Sequence, residues 1–278
     1  MTISQTPELL NPQQMETLLE RTQVLWEKIK EEKPAAMFFL DKSAREFSFH
    51  LKIFNNNQSE PLRLPPVFPI NFGSEKTELF TDFLLHQESS LKDVKPLSNE
   101  DERAKNHLQK HARTLKAFRI VDINNIRSFV TPDAFEELMA PFCTRKTLIH
   151  IYGEENIVRL EETLRDIADD SKRLIVDDFT YTGFSQVLLR SILTSLDSTH
   201  QYEFFEMFSE STLRQFTGES LYLPWTKSGN PHFQSAQYIE EPKDPKSFIV
   251  HLTKKMDQRE RAFQFRKEIR NHFGSSEE

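Results

Sequence analysis

The order of apolar and polar residues predicts helices in some segments of this chain and strands in others. Residues 12–33 carry apolar side chains near helical spacing, with Pro12 suited to the first helical position and Pro34 following the last turn. A period of two predicts a strand further on, with these residues on its buried face: Phe47, Phe49, Leu51 and Ile53. The preceding "FFLD" could pair with that strand across "DKSA", so we expect a β-hairpin here.

In the second half of the chain, predicted strands and helices follow one another. The predicted strands are "AFRIVDI", "KTLIHIYG", "RLIVDDF", "YEFFEMF" and "SFIVHLT". The predicted helices include "EENIVRLEETLRDIADD", "FSQVLLRSILTSL" and the closing "KKMDQRERAFQFRKEIRNHF". Such alternation is typical of βαβ units, and the apolar run 174–176 suits a central strand buried on both faces. The predicted fold class is therefore α/β, with a mostly parallel sheet and flanking helices.

A polar stretch predicts the domain organisation. Residues 87–116 form the most polar run in the chain, which we interpret as a linker with an exposed helix. This run would separate a small α+β domain at residues 1–86, built from a helix and the hairpin, from the α/β domain at residues 117–278.

Composition narrows the classes of function. The chain has 24 phenylalanines and 6 glycines, which favours aromatic packing over glycine-rich loops that wrap a cofactor. A formal net charge of -7 disfavours nucleic acid as the partner. Cys143, the one cysteine, excludes an internal disulfide, and its setting after Phe142 suggests a small packed hydrophobe. With no signal-like N-terminus and no apolar run near about 20 residues, we expect a cytoplasmic protein that does not span a membrane.

The stretch "RLIVDDFTYTGFS" carries the candidate chemistry. Asp177 and Asp178 follow an apolar strand, and a predicted helix begins a few residues later. In open α/β sheets ligands bind outside the carboxyl ends of the strands, and a helix N-terminus attracts anions. The alternative is that the two acids end a buried strand, where they face solvent or cap the following turn.

This region resembles a response-regulator receiver domain over residues 173–270. "LIVDDF", "SQVLLRSILTSL" and "YEFFEMF" look like the first strand, first helix and second strand of that family, with Thr253 as the switch residue. The resemblance implies Mg2+ binding by Asp177 and Asp178. Because no aspartate lies between Asp197 and Asp244, it implies a degenerate receiver that cannot be phosphorylated.

Residues 174–185 also resemble the PRPP loop of type I phosphoribosyltransferases. That loop has apolar residues, two acids, a spacer, Thr-Gly, any residue, and Thr or Ser, which "LIVDDFTYTGFS" matches. The resemblance implies that Asp177 and Asp178 hold the ribose hydroxyls. Thr182, Gly183 and Ser185, with their backbone amides, would cradle the 5'-phosphate at the helix start.

Three further residues bear on that resemblance. The glycine-bearing pyrophosphate loop that the family has upstream is reduced here to the lone Gly153 in "IHIYGEEN". Phe179 and Phe184 are bulky for the loop, so the stretch could form an open phosphate cradle or pack shut beneath these two rings.

A second candidate region is the long irregular stretch at residues 222–245. Its exposed side chains are typical of anchors that contact another protein: Trp225, His232, Phe233 and Tyr238. The alternative is a flap over the sheet edge. His107 and His111 lie four apart on a predicted helix and could bind a metal, although their charged surroundings favour a solvated pair.

These observations leave two hypotheses of different class. The first is a non-catalytic adaptor in a bacterial cytoplasmic assembly of the signalling, scaffold or secretion type, which binds other proteins and uses no cofactor except possible Mg2+. It rests on the missing catalytic constellations and the scarcity of glycine. The second is a phosphoribosyltransferase that binds PRPP and Mg2+ through "DDFTYTGFS". On sequence alone we prefer the non-enzymatic hypothesis.

Overall fold

The core of the protein is a parallel sheet packed between helices. The structure, a computed structural model, describes residues 12–40, 45–92, 95–96, 98–120, 130–167, 172–180, 184–209, 246–248 and 256–273. Its described strands are β1 (Ala36–Leu40), β2 (Val67–Ile70), β3 (Arg173–Thr180) and β4 (Tyr202–Ser209). They lie in the order β2-β1-β3-β4, and each neighbouring pair is parallel. The predicted α/β class with a parallel sheet is therefore confirmed.

Helices cover both faces of this sheet. The described α-helices are α1 (Pro12–Glu32), α2 (Arg45–Asn56), α3 (Ser74–Lys92), α4 (Asn99–Lys110), α5 (Ala112–Ile120), α6 (Pro132–Met139), α7 (Arg145–Tyr152), α8 (Glu154–Arg165), α9 (Phe184–Leu196) and α10 (Met256–His272). The β1–α2–β2 unit leads from the centre of the sheet to one edge, and the β3–α9–β4 unit leads from the centre to the other edge. Because such crossovers are right-handed, α2 and α9 cover opposite faces. α1 and α10 pack on α2, whereas α3, α6 and α7 pack on α9.

The two central strands explain why the sheet is stable. All five residues of β1 are buried, and the apolar run Leu174–Val176 of β3 is at most 1% exposed. Strands covered on both faces need continuous apolar runs, which is what both sequences provide. Leu188, Ile192 and Leu193 of α9 are fully buried. Helical spacing thus puts an apolar stripe of α9 against the core.

The predicted hairpin is wrong, because residues 45–56 form helix α2. Its buried side chains are Phe47, His50, Leu51, Phe54 and Asn55, which share one helical face. The alternating pattern placed His50 among the solvent-facing residues, whereas it is 0% exposed. β1 therefore pairs with β2 and β3, and not with the residues that follow it directly.

Two further predicted strands are helical. Residues 112–120 form α5, which includes "AFRI", and residues 145–152 form α7, which includes "KTLIHIY". α7 begins at an N-cap where the Thr144 hydroxyl accepts from the backbone N–H of Thr147 at 3.3 Å. Its buried side chains, Leu148, Ile151 and Tyr152, have helical spacing. Short apolar runs fit both the period of a strand and the period of a helix. In these two segments, packing against other helices favours the helix.

The sheet contains strands from both sides of the polar run. β1 and β2 belong to the 1–86 range, whereas β3 and β4 belong to the 117–278 range. The 87–116 range holds the end of α3, all of α4 and the start of α5, with Leu108 and Leu115 buried. Most of "SFIVHLT" lies outside the described residues. Within the described part of the chain, no helix combines the length and apolar character needed to cross a membrane.

Candidate ligand site at the carboxyl edge of the sheet

The order of the strands creates a topological switch point between β1 and β3. β1 continues through α2 to one side of the sheet, and β3 continues through α9 to the other. Phe39 and Val176 are partners in the register; β1 ends one residue later at Leu40, whereas β3 continues beside β4 to Thr180. Ligands in open parallel sheets bind outside the carboxyl ends of the strands at such a point, with helix N-termini directed toward them. We call this side of the sheet the carboxyl edge.

Asp177 lies in β3 at the carboxyl edge. The side chain is 7% exposed, and Gln186 Nε2 donates a hydrogen bond to Asp177 Oδ2 at 3.1 Å. Asp178 is the next residue of β3, but its side chain lies outside the described residues, as do Thr182 and Gly183. Carboxylate oxygens suit Mg2+ as ligands, and they accept hydrogen bonds from hydroxyl groups.

Phe184 is the first residue of α9 and anchors that helix in the core. It is 1% exposed, and its ring centroid lies 4.9 Å from that of Phe135 and 6.0 Å from that of Phe118. These contacts attach the first turn of α9 to α5 and α6. The side chain of Phe179 lies outside the described residues.

Ser185 takes part in a chain of hydrogen bonds that ends on α3. Its Oγ lies 3.0 Å from Thr77 Oγ1, and Thr77 Oγ1 donates to the backbone oxygen of Gly73 at 3.2 Å. A hydroxyl has one proton, so Ser185 is the donor toward Thr77. The Ser185 hydroxyl is therefore engaged with Thr77 of α3. Sequence reasoning missed Thr77, because it lies 108 residues from Ser185.

The end of β2 closes one side of this edge with a packed cluster. The side-chain amide of Asn71 donates to the backbone oxygen of Ser247 at 3.0 Å, and its backbone N–H donates to that of Phe248 at 3.0 Å. The Phe248 ring stacks on Phe72 with centroids 5.9 Å apart, and Lys76 Nζ lies 5.3 Å from its centroid. Residues 246–248 are thereby fixed beside the start of α3.

Gly153 does not form the expected pyrophosphate loop. It joins α7 to α8, and its φ of 89° lies in the region that favours glycine. Its backbone N–H donates to the oxygen of Ile149 at 2.8 Å, which ends α7. The segment that follows β1 at the carboxyl edge is 41–44, "DKSA", which lies outside the described residues.

The opposite, amino edge of the sheet holds a cavity of about 510 Å³ with charged walls. Arg145 and Glu161 on its wall form two hydrogen bonds of 2.6 and 3.0 Å. Arg173, at the start of β3, donates to Asp197 Oδ2 at 2.5 Å. The Arg145–Glu161 and Arg173–Asp197 pairs thus bring opposite charges together in the wall of this cavity, which Arg165 also lines.

The histidine pair and the cysteine do not form a metal site. His107 Nε2 lies 3.0 Å from the backbone oxygen of Leu138, and His111 is 8% exposed, so the solvated pair is wrong for His111. Within the described part of the chain, no group of three or more His, Cys, Asp or Glu residues could hold a metal ion. Cys143 is buried, as predicted, and burial raises the pKa of its thiol to about 12.

The predicted protein-contact residues, Trp225, His232, Phe233 and Tyr238, lie outside the described residues. That hypothesis therefore stays a prediction.

Comparison of the chain with protein-family models, with curated proteins and with solved structures finds no match. Its function must be argued from the site itself.

Proposed function

We propose that this chain is a phosphoribosyltransferase that binds PRPP with Mg2+ at the carboxyl edge. The observation that carries the proposal is the coincidence of two independent features. The sequence "DDFTYTGFS" resembles a PRPP loop, and β3, α9 and the switch point lie where a parallel sheet binds ligands. A solvated strand end needs no switch point, and Asp177 is 7% exposed, which disfavours that alternative.

Each part of the site has a defined role in this proposal. Asp177 and Asp178 accept hydrogen bonds from the ribose hydroxyls, and the backbone N–H groups at the start of α9 receive the 5'-phosphate. Carboxylate oxygens suit Mg2+, which neutralises part of the pyrophosphate charge when it is bound. In the transfer, the bond from the anomeric carbon to pyrophosphate breaks and a bond to the acceptor nucleophile forms. The identity of that acceptor is not part of the proposal.

The strand order disfavours a receiver domain whose first strand is β3. In the receiver-type order 2-1-3-4-5, the first strand lies between the second and the third. Here β3 would be the first strand, and its two neighbours are β4 and β1. Because β1 precedes β3 in the chain, the place of a third receiver strand is occupied by residues 36–40. The adaptor hypothesis has no described contact surface in its favour and stays a prediction.

The proposal is tested by calorimetric titration of the full chain with Mg2+ and then with PRPP in the presence of Mg2+. We expect PRPP to bind in roughly the micromolar range. The Asp177→Asn variant removes the charge but keeps the shape. It should weaken PRPP binding about 10- to 100-fold, because a hydrogen bond to a charged group is worth about 1.5–3 kcal/mol.

The matched control is Asp82→Asn, the same change at an exposed position on α3, and it should leave the affinity unchanged. Thermal unfolding of each variant verifies that it is folded. Absence of PRPP binding by the folded wild-type chain would contradict the proposal and leave the adaptor hypothesis. Equal affinity of Asp177→Asn and wild type would also contradict it.

A further inference from the structure

A groove opens at the surface where β1 and β2 begin. Its volume is about 540 Å³, within the range of about 300–1,000 Å³ that is typical of ligand-binding pockets. One wall is formed by the end of α1 and the residues that lead into β1, and the other by the segment 62–66 that leads into β2. We call it the basic groove, because the charged residues that line it in the described part of the chain are Lys30, Lys33 and Arg63.

The walls of the basic groove present apolar side chains that are not fully covered. Leu62, Leu64 and Pro65 are half-buried, and Pro66 is exposed. Ile29, which is 3% exposed, also lines the groove and connects it to the core. Covering such partly exposed apolar surface with the side chains of a partner is favourable, because it removes that surface from water.

The segment 62–66 is held in place without a partner. Asn55 Oδ1 accepts from the backbone N–H of Leu62 at 2.8 Å, and Asn55 Nδ2 donates to the backbone oxygen of Leu62 at 3.0 Å. Trp26 Nε1 donates to the same Asn55 Oδ1 at 2.9 Å. Pro65 and Pro66 have a fixed φ, which further restricts this segment. A ligand therefore meets a groove that is already formed, which lowers the ordering cost of binding.

The basic groove carries positive charge on a chain whose net charge is -7. Lys30, Lys33 and Arg63 are all exposed. Lys30 Nζ lies 5.2 Å from the ring centroid of Trp26, and neither Lys30 nor Arg63 forms an ion pair with a carboxylate in the described part of the chain. Charges of this kind favour a partner of opposite sign and suppress partners of the same sign.

Lys33 has a backbone conformation that glycine usually adopts. Its φ of 46° lies in the left-handed region, and its backbone N–H donates to the oxygen of Ile29 at 3.0 Å, which ends α1. Glycine is favoured at such a helix end because it has no Cβ to strain the backbone. The chain therefore places a cation in the groove at a position where glycine would end α1 with less strain.

We propose that the basic groove binds an extended acidic peptide segment of a partner protein. Side chains alternate in direction along an extended chain, so carboxylates can meet Lys30 and Arg63 while apolar side chains cover Leu62 and Leu64. These apolar walls favour a peptide over a phosphate backbone, which has no apolar side chains. The groove lies at the amino edge of the sheet, so this inference does not rest on PRPP binding at the carboxyl edge.

Titration of the full chain with a synthetic peptide tests this proposal. The probe is a fluorescein-labelled hexapeptide of alternating glutamate and leucine, followed by fluorescence anisotropy. We expect a Kd of roughly tens of micromolar, and an increase of at least about tenfold in Kd when NaCl rises from about 50 mM to about 500 mM. The same peptide with glutamine in place of glutamate should bind at least about tenfold more weakly. Equal affinity for the two peptides, or no saturable binding of the glutamate peptide up to about 1 mM, would overturn the inference.

Reversal of the charges in the groove locates the binding site. The triple variant Lys30→Glu, Lys33→Glu and Arg63→Glu changes exposed side chains only, and circular dichroism verifies that it is folded. It should bind the glutamate peptide at least about tenfold more weakly than the wild-type chain, with unchanged PRPP affinity.

The matched control makes the same change in net charge away from the groove. It combines Arg113→Glu and Lys116→Glu on α5 with Lys146→Glu on α7, all at exposed positions. It should bind the glutamate peptide as the wild-type chain does. Equal losses in the two triple variants would show that binding follows net charge, and would overturn the inference. Binding that appears only after residues 274–278 are removed would assign the groove to the acidic end of this chain, and would also overturn it.

Discussion

Replacing Arg173 by methionine is expected to lower the free energy of unfolding by about 3–5 kcal/mol, the range for breaking a buried ion pair. The Arg173 side chain is 0% exposed at the start of the central strand β3. Its guanidinium donates to Asp197 Oδ2 at 2.5 Å and to the Tyr202 hydroxyl at 2.8 Å. It also donates to the backbone oxygens of Leu164 and Ile167 at 3.1 and 3.3 Å. One side chain thus ties β3 to the end of α8 and to the segment after α9.

The variant would leave Asp197 without its cation. Burial alone would raise the pKa of Asp197, but hydrogen bonds from His200 and Thr199 and the charge of Arg173 outweigh burial and hold this pKa below its ordinary value. Without Arg173, the oxygens of Leu164 and Ile167 would also lose a donor. Both losses act in the folded state, so the variant should unfold at lower urea concentration with an unchanged slope.

Urea unfolding followed by circular dichroism measures this effect, and Arg190→Met is the matched control. Arg190 Nη2 donates to Glu136 Oε2 at 2.8 Å, but both side chains are more than a third exposed. An exposed pair of this kind contributes less than about 1 kcal/mol. If the unfolding free energy of Arg173→Met lies within about 1 kcal/mol of the wild-type value, the network does not stabilise the fold as we describe.

Acid is expected to destabilise the protein through His50, by up to about 1.4 kcal/mol per pH unit. His50 is 0% exposed beneath α1 and α10. Burial, with a smaller contribution from the charge of His272, lowers the pKa of His50 to about 3. In the unfolded chain this histidine has its ordinary pKa near 6.5. Between about pH 6.5 and about pH 3, the unfolded state therefore binds a proton at His50 that the folded state does not bind. The free energy of unfolding decreases as the pH is lowered through this range.

The hydrogen bonds of His50 define a variant that removes this titration. Thr22 Oγ1 donates to the backbone oxygen of Leu18 at 2.8 Å, so His50 Nδ1, 2.8 Å from Thr22 Oγ1, must carry the proton and donate. His50 Nε2 has no hydrogen-bond partner in the described part of the chain. In His50→Gln the amide can still donate to Thr22, but it does not take up a proton.

We expect His50→Gln to flatten the dependence of the unfolding free energy on pH over this range. The measurement is urea unfolding at a series of pH values between neutral and acidic. His86→Gln, at an exposed position on α3, is the control and should retain the wild-type dependence. If His50→Gln and the wild type lose stability equally with acid, the neutral buried histidine is not the cause.

The sequence predicted the β3–α9–β4 unit well because the apolar pattern of each segment fits one kind of secondary structure. A continuous apolar run fits a strand covered on both faces, and the stripe of α9 has a single period. The same reasoning failed for α2, where Phe47 and Leu51 fit both periods and the buried His50 was taken for a solvent-facing residue. A titratable side chain in the core cannot be recognised from pattern alone, because its burial depends on partners such as Thr22.

β2 contains Pro69, so its sequence does not have the pattern of a central strand. Proline lacks the N–H that a central strand needs, but β2 lies at the edge of the described sheet and pairs with β1 alone. Such a position is set by the whole fold and not by local sequence.

Some residues of the candidate site could be predicted from the sequence, and others could not. The acidic pair and Ser185 belong to one continuous motif that sequence can display. Thr77 and Gln186 do not, because their roles arise from contacts across the fold. The switch point also required the strand order, which joins residues 36–40 to residues 173–176.

A crystal structure of the chain with Mg2+ and PRPP tests the central claim most directly. We predict that the 5'-phosphate lies within about 3 Å of the backbone N–H groups at the start of α9, with the ribose hydroxyls against Asp177. PRPP bound in the amino-edge cavity beside Arg173, or with its phosphate away from α9, would contradict the assignment of the carboxyl edge as the ligand site.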